Sequence, residues 1–164
     1  MSGEIDNLTH WDLSYEGKRS DRKGRAMIEY DKFQKALKHL ELQHDNYKTL
    51  DANLPEIIQE AVVESVIQRF EVCWDCLWKV LKRYLEEEIG LAEVANGPNP
   101  VLRLANENHL LSTPIAEWLK YAQARIDTSH DYSGEKAQDA VGLMGGFIDD
   151  AIGLYQTMSG ETWE

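Results

Sequence analysis

An arginine, a histidine and a tyrosine lie within eight positions in the segment ARIDTSHDYSGEK, residues 124–136. Arg125 carries a planar guanidinium, which binds phosphate oxygens and stabilises negative charge that develops in a transition state. His130 carries an imidazole, a group that takes and returns protons near neutral pH. With the 2′-hydroxyl of RNA as nucleophile, these groups suffice for phosphodiester cleavage without a metal ion. Together with the Tyr132 phenol, these residue types suit phosphodiester chemistry.

The two groups share one site only if the helix that carries Arg125 ends before His130. Five residues of a continuous α-helix rotate by about 140° beyond a full turn, which would place the side chains on different faces. Thr128 and Ser129 supply turn groups, and Ser133 is the predicted N-cap of the next helix. The alternative is an arginine favourably placed at a helix C-terminus and a histidine in a loop. Composition and spacing alone favour that alternative.

Further polar residues are predicted to support the site. Glu71 lies near the apolar stripe of a long helix, where it is either a buried partner for an arginine or a solvated or half-buried carboxylate. Both interpretations stay open from the sequence. The supporting residues predicted here are Asp127, Ser129, Asp131 and Glu71.

No metal or cofactor is predicted. A di-iron carboxylate site in a helical bundle needs a Glu-x-x-His pair on two helices, and only Glu41 to His44 matches. Cys73 and Cys76 lie three positions apart within a helical pattern, so we expect two reduced thiols and no zinc site. The tryptophans at helical spacing are expected in the core or an interface rather than as base-stacking platforms; they are Trp74, Trp78 and Trp118.

Apolar residues recur every three or four positions from about residue 29 onwards, without β-alternation or an internal repeat. Glycines at 142, 145, 146 and 153 in the last segment predict a close approach to another helix. The fold class predicted is all-α, an up-and-down bundle of about five helices over residues 27–160. Residues 1–26, with the basic cluster KRSDRKGR at 18–25, are predicted to be a flexible N-terminal extension. The first predicted helix starts at Glu29, and the second runs from Pro55 to Glu88. The third begins at Asn99-Pro100, the fourth begins at Thr113-Pro114, and the fifth follows Ser133.

The net charge of −12 and the pI near 4.8 oppose nucleic-acid binding through a broad basic face. Any contact with RNA must be local, and the acidic surface suits a basic protein partner. No apolar run is long enough for a membrane span and no signal peptide is recognisable, so we expect a cytoplasmic protein.

The sequence resembles the HEPN superfamily, specifically the HepT toxin type, also described as nucleotidyltransferase substrate-binding proteins. Three blocks carry the likeness: YDKFQKALKHL at 30–40, IQRFEVCWDCLWKVLKRYL at 67–85 and ARIDTSHDYSGEKA at 124–137. The type has an arginine, four to six residues, then His-x-Tyr, which matches Arg125, His130 and Tyr132. This sequence departs from the HepT type at Ile126, where the type commonly has a polar residue.

The resemblance implies a homodimer whose two motifs face one cleft and form a metal-independent endoribonuclease toxin. His130 would act as general acid or base, and Arg125 would bind the phosphate. It also implies a partner nucleotidyltransferase, an MntA-type antitoxin that modifies Tyr132 with AMP. Two alternatives remain: a non-catalytic subunit that docks on a nucleotidyltransferase, and a helical adaptor in which the motif merely ends a helix.

Overall fold

The computed structural model describes residues 27–164, which form five helices and no strands. The predicted extension at 1–26, with its basic cluster, lies outside the described residues. The all-α prediction is confirmed for the described chain. None of these helices combines the length and the apolar run needed to cross a bilayer. The helices are α1 (Asp31–Lys48), α2 (Glu56–Glu87), α3 (Pro98–Glu107), α4 (Ile115–Thr128) and α5 (Gly134–Ser159).

The long helix α2 organises the bundle, because it packs against each of the other four helices. Its 32 residues span about 48 Å at 1.5 Å per residue. Gly90, at φ +83°, follows its end, and the amide of Leu91 donates to the carbonyl of Leu85 at 3.0 Å. This left-handed turn stops the helix, as the glycine predicted. The α2 rod thus presents one face to the end of α4, where the arginine of the motif lies.

Aromatic side chains fill the core between α2, α4 and α5. Phe147 meets Phe70 edge to face, with ring centroids 4.9 Å apart, and meets Tyr121 at 5.2 Å. Trp74 and Trp118 are fully buried, so their assignment to the core is confirmed, whereas Trp78 is only half-buried. Burial of such rings fixes the angle between these helices and thereby the position of the α4 C-terminus.

The glycines of α5 permit a close helix contact at one position. A methyl group added at Gly146 would lie 3.1 Å from the hydroxyl of Tyr121 on α4, whereas one at Gly142 would meet no atom within 4 Å. That hydroxyl donates to the buried carboxylate of Asp150 at 2.6 Å. The close approach predicted from the glycines therefore occurs between α4 and α5 at Gly146.

Two details of helix initiation differ from the expectation. The third helix begins at Pro98 after Gly97, not at the Asn99-Pro100 pair, because a proline with its fixed φ is already suited to the first helical position. Pro55 precedes α2 instead of lying in its first turn. Cys73 and Cys76 are free thiols, as expected.

Candidate functional site

The helix that carries Arg125 ends between the arginine and His130. Thr128 is the last residue of α4, and its buried hydroxyl donates to the carbonyl of Ala124 at 3.0 Å. The hydroxyl of Ser129 then donates to the carbonyl of Ile126 at 2.7 Å. These side-chain bonds, together with the backbone bond from the amide of Ser129 to the carbonyl of Ile126 at 3.2 Å, close the last turn of α4. The break that the spacing of the motif required is therefore present.

Arg125 crosses to α2 and pairs with two carboxylates. Its Nη1 donates to Oε2 of Glu71 at 2.5 Å, and its Nη2 donates to Oδ2 of Asp75 at 3.3 Å. The side chain of Glu71 is 11% exposed, that of Arg125 28% and that of Asp75 43%. The Nε of Arg125 is buried without a hydrogen-bond partner among the described residues. Of the two interpretations of Glu71, the structure shows the buried partner of an arginine.

Tyr132 extends from the turn after α4 towards the same carboxylate. Hydrogen bonding to Glu71 raises the pKa of the Tyr132 phenol, with smaller contributions from burial and from the negative charge of Glu71, while the cation of Arg125 opposes the shift. The tyrosine remains 36% exposed. Glu71 therefore links the arginine and the tyrosine of the motif, and the phenol stays protonated and open to solvent.

The turn itself is held by Asp131. Its carboxylate accepts hydrogen bonds from the amide of Ser133 at 2.9 Å and from the hydroxyl of Ser133 at 2.7 Å. These bonds to Ser133 lower the pKa of Asp131. Ser133 occupies the N-cap position of α5, as predicted, but its hydroxyl serves Asp131 and makes no capping bond. Asp131 therefore stabilises the turn that carries Tyr132.

His130 is exposed in this turn and has no hydrogen bond or ion pair with another described residue. The structure therefore brings together Arg125, Glu71 and Tyr132, and leaves the imidazole beside them without a contact. The turn fixes the backbone of His130, and its exposed ring has no hydrogen-bond or ion-pair partner among the described residues.

The other predicted supporting residues face away from the arginine. Asp127 accepts a hydrogen bond from Gln123 at 3.0 Å and lies 3.7 Å from the ammonium of Lys136, so it ties α4 to the start of α5. Ser129 closes the helix end. Ile126, the residue that departs from the HepT pattern, is 55% exposed. Neither Asp127 nor Ser129 contacts Arg125 in a hydrogen bond or ion pair.

An acidic groove of about 500 Å³ lies on the other side of Tyr132. Its walls come from the end of α1, the start of α2 and the start of α5, and its lining includes Tyr47, Leu50 and Val63. The charged side chains that line it are all carboxylates, and none forms an ion pair with another described residue. They are Glu56, Glu60, Glu64 and Glu135.

Sequence reasoning missed both Asp75 as the second carboxylate at the arginine and this groove. The signal for Asp75 was its position one turn after Glu71 on the same helix face. The signal for the groove was the spacing of the α2 glutamates, at every fourth residue. Within residues 27–164 no three potential ligands converge on a metal site.

Comparisons with known proteins agree with this fold. The family model described as nucleotidyltransferase substrate binding protein like matches residues 28–160. A probable ribonuclease HepT of Haemophilus influenzae is 28% identical over 106 residues, which cover 63% of this chain and 72% of the relative. A solved structure from the same organism, described as the fold of a substrate-binding domain of a nucleotidyltransferase, matches with a TM-score of 0.72. It covers 80% of this chain and 99% of its own, and at 24% identity the likeness concerns the fold. The matched span takes in the whole helical bundle and the turn with its motif, and the chain therefore belongs to the nucleotidyltransferase substrate-binding-like family.

Proposed function

We propose that this protein is a HepT-like endoribonuclease toxin that needs no metal ion. The observation that carries the proposal is the partly exposed guanidinium of Arg125 at the end of α4, one short turn from His130 and Tyr132. The similarity to a probable ribonuclease HepT supports it. In this mechanism Arg125 binds a phosphate oxygen and stabilises the charge that develops on it. Glu71 positions the guanidinium.

The reaction is a transfer of the phosphoryl group within RNA. A base removes the proton of the 2′-hydroxyl, the O2′–P bond forms, the P–O5′ bond breaks, and an acid protonates the departing 5′-oxygen. His130 supplies one of these proton transfers, because an imidazole works in both directions near neutral pH. A second His130, from another copy of the chain, supplies the other. The proposal therefore includes a homodimer with the two motifs in one cleft.

Exposed apolar side chains beside the ion pair support the homodimer. Val72, 54% exposed, follows Glu71, and Ile126, 55% exposed, follows Arg125. Large apolar side chains next to a charged site are usual at protein interfaces. A Val72→Asp variant is expected to shift the dimer towards monomer in analytical ultracentrifugation and to lose cleavage, because each monomer has only one His130 imidazole for two proton transfers. An unchanged sedimentation coefficient in that variant would contradict the arrangement.

The test of the reaction is cleavage of a mixed tRNA and mRNA pool by the purified protein in EDTA. We expect cleavage by the wild type and none by His130→Ala. Since His130 forms no hydrogen bond or ion pair with another described residue, the matched control is His39→Ala, which changes another exposed histidine, on α1, and is expected to cleave normally. Equal cleavage by wild type and His130→Ala would reject the ribonuclease.

The proposal includes a partner, an MntA-type nucleotidyltransferase that neutralises the toxin. The hydroxyl oxygen of Tyr132 would attack the α-phosphate of ATP, forming an O–P bond as pyrophosphate leaves and the phenolic proton is lost. Glu71, which raises the pKa of that phenol, would orient the hydroxyl in this step. The AMP group adds negative charge and bulk beside Arg125, which repels RNA. A mass increase of one AMP on Tyr132, absent in Tyr132→Phe, tests this step.

The acidic groove supports a basic surface on this partner. Three of its carboxylates, Glu56, Glu60 and Glu64, follow one another at i, i+4 spacing along α2, where like charges repel in the free chain. A cationic segment seated there would relieve the repulsion and bring the enzyme to the rim that carries Tyr132. RNA, being anionic, would be excluded from the groove.

This docking is tested by the affinity of the nucleotidyltransferase for the double variant Glu60→Gln/Glu64→Gln. We expect a loss of about ten-fold that shrinks at high salt. The matched control, Glu93→Gln/Glu107→Gln, removes the same charge from exposed positions outside the groove. Equal affinities of the two double variants would exclude the groove as the docking surface.

The second candidate is a non-catalytic subunit that binds a nucleotidyltransferase. The observation that favours it is the engagement of Arg125 by two carboxylates, which leaves the three side chains with a net charge of −1. If this second function is right, the nucleotidyltransferase binds and modifies this chain, and the purified chain cleaves no RNA.

A further inference from the structure

The arginine of the motif is held by two carboxylates that are not equivalent. The contact to Glu71 is short and its carboxylate is nearly buried, whereas the contact to Asp75 is longer, at 3.3 Å, and its side chain is 43% exposed. Buried charge-assisted hydrogen bonds are strong, while exposed ion pairs contribute little and exchange easily with solvent. The hydrogen bond of Nη1 to Glu71 is thus the stable one, whereas the carboxylate at Nη2 is readily replaced.

The site as it stands does not attract a phosphate. Arg125 contributes one positive charge and Glu71 and Asp75 one negative charge each, so an incoming phosphate meets a net negative cluster. Each Nη nitrogen carries two N–H groups, of which Glu71 takes one on Nη1 and Asp75 one on Nη2, so the two carboxylates compete with phosphate oxygens for the paired N–H groups of the guanidinium. The buried Nε has no partner among residues 27–164, so the arginine has unused donor capacity in this arrangement.

We propose that Asp75 is a gate on Arg125: it holds Nη2 in the free protein, and an RNA phosphate must displace it while Glu71 keeps the guanidinium in place. The inference rests on the proposed ribonuclease function and assigns a regulatory role at that site to Asp75. Asp75 touches no reacting atom and acts through the arginine, so it is a positioning residue. Its removal should improve the binding of phosphate groups, whereas removal of Glu71 should impair it.

The direct test is the binding of a short 2′-O-methyl RNA oligonucleotide, a probe that the 2′-hydroxyl mechanism cannot cleave. Asp75→Asn keeps the size of the side chain and removes its charge. A carboxylate about 5 Å from a phosphate in a water-like dielectric corresponds to about four-fold in affinity, so we expect Asp75→Asn to bind about four-fold tighter. The gain should shrink as salt is raised.

Two further variants isolate the mechanism. Glu88→Gln removes the same charge from an exposed position at the end of α2, about 20 Å along the helix from Asp75, and should change the affinity less than two-fold. Arg125→Gln/Asp75→Asn should bind no better than Arg125→Gln alone, because the gate then has nothing to release. A gain that persists without Arg125, or that Glu88→Gln reproduces, would overturn the proposal.

A purely structural role for Asp75 predicts a lower melting temperature in Asp75→Asn with unchanged oligonucleotide binding, and that result would also overturn it. In RNA cleavage the gate predicts a lower KM for Asp75→Asn. Failure of the ribonuclease function would look different: wild-type protein would cleave no RNA, whereas the oligonucleotide comparison would still report on Asp75.

Discussion

Removing Glu71 tests the central contact of the site, because this one carboxylate serves both Arg125 and Tyr132. In Glu71→Ala, Nη1 of Arg125 loses a 2.5 Å partner in a setting where the glutamate is 11% exposed. Breaking a fully buried pair costs about 3–5 kcal/mol and breaking an exposed pair costs about 1 kcal/mol or less. Since Arg125 is 28% exposed and keeps Asp75, we expect a loss of about 2 kcal/mol in the free energy of unfolding.

The assay is urea unfolding followed by far-UV circular dichroism at one fixed protein concentration. Glu71→Gln keeps an acceptor oxygen without the charge, so its loss should be about 1 kcal/mol. Glu86→Ala is the matched control, because Glu86 forms an i,i+4 pair with Lys82 on the same helix and its side chain is 35% exposed. We expect less than about 0.5 kcal/mol for that control.

A second readout separates the local contact from a general loss of packing. The pKa of Tyr132 is raised mainly by hydrogen bonding to Glu71, so it should fall towards its ordinary value in Glu71→Ala. Titration of the Tyr132 ring signals by NMR measures this. If Glu71→Ala unfolds like Glu86→Ala and the Tyr132 titration stays where it is in the wild type, the reasoning about this cluster is refuted.

Three further predictions follow from other contacts. His130→Ala should lower RNA cleavage by at least about 100-fold. It should leave the melting temperature within about 2 °C, because the His130 side chain is exposed. A large loss of stability in this variant would contradict that exposure. Gly142→Ala should raise the free energy of unfolding by about 0.5–1 kcal/mol through helix propensity. Gly146→Ala should lower it by about 1 kcal/mol, because the added methyl group meets the hydroxyl of Tyr121, which is hydrogen-bonded to Asp150. Equal effects of the two variants in urea unfolding would reject the close contact. Burial, and then the hydrogen bond to Asp150, raise the pKa of Tyr121, so the stability from this group is complete below pH about 10 and is lost at higher pH. Tyr121→Phe should therefore cost about 1 kcal/mol at neutral pH and flatten the fall of stability above pH 10, and an unchanged pH dependence would contradict it.

Local chemistry predicted the helices more reliably than the details of their ends. Gly90 ends α2 as expected, because the left-handed turn there has a positive φ, which a glycine adopts without strain. Ser133 takes its predicted N-cap position, but Asp131, two residues earlier, accepts its hydroxyl hydrogen. Such competition between neighbouring polar groups depends on side-chain rotamers, which a sequence pattern does not specify.

The arginine site was predictable only in part, for a similar reason. The position of Glu71 beside the apolar stripe of α2 indicated a carboxylate that could meet an arginine, and it meets Arg125. Whether Asp75 joins depends on where α4 ends against α2, which is set by the aromatic core and not by the residues near the motif. The direction of the His130 ring has no local determinant in the described chain, so neither sequence nor packing fixes it.

Under the proposed function, the charges at the motif give an acidic chain a site at which an anionic substrate can bind. A guanidinium left free at the end of α4 would attract any phosphate, yet here two carboxylates of α2 hold it, one nearly buried and one exposed. The exposed carboxylate can leave when a phosphate offers Nη2 a better partner, and the buried one keeps the arginine aimed. If an AMP group is added to Tyr132, its phosphate brings negative charge near Arg125, whose cation already acts on the pKa of that phenol. Substrate and modification would then both be drawn to the guanidinium, and Asp75 would compete with each of them for Nη2.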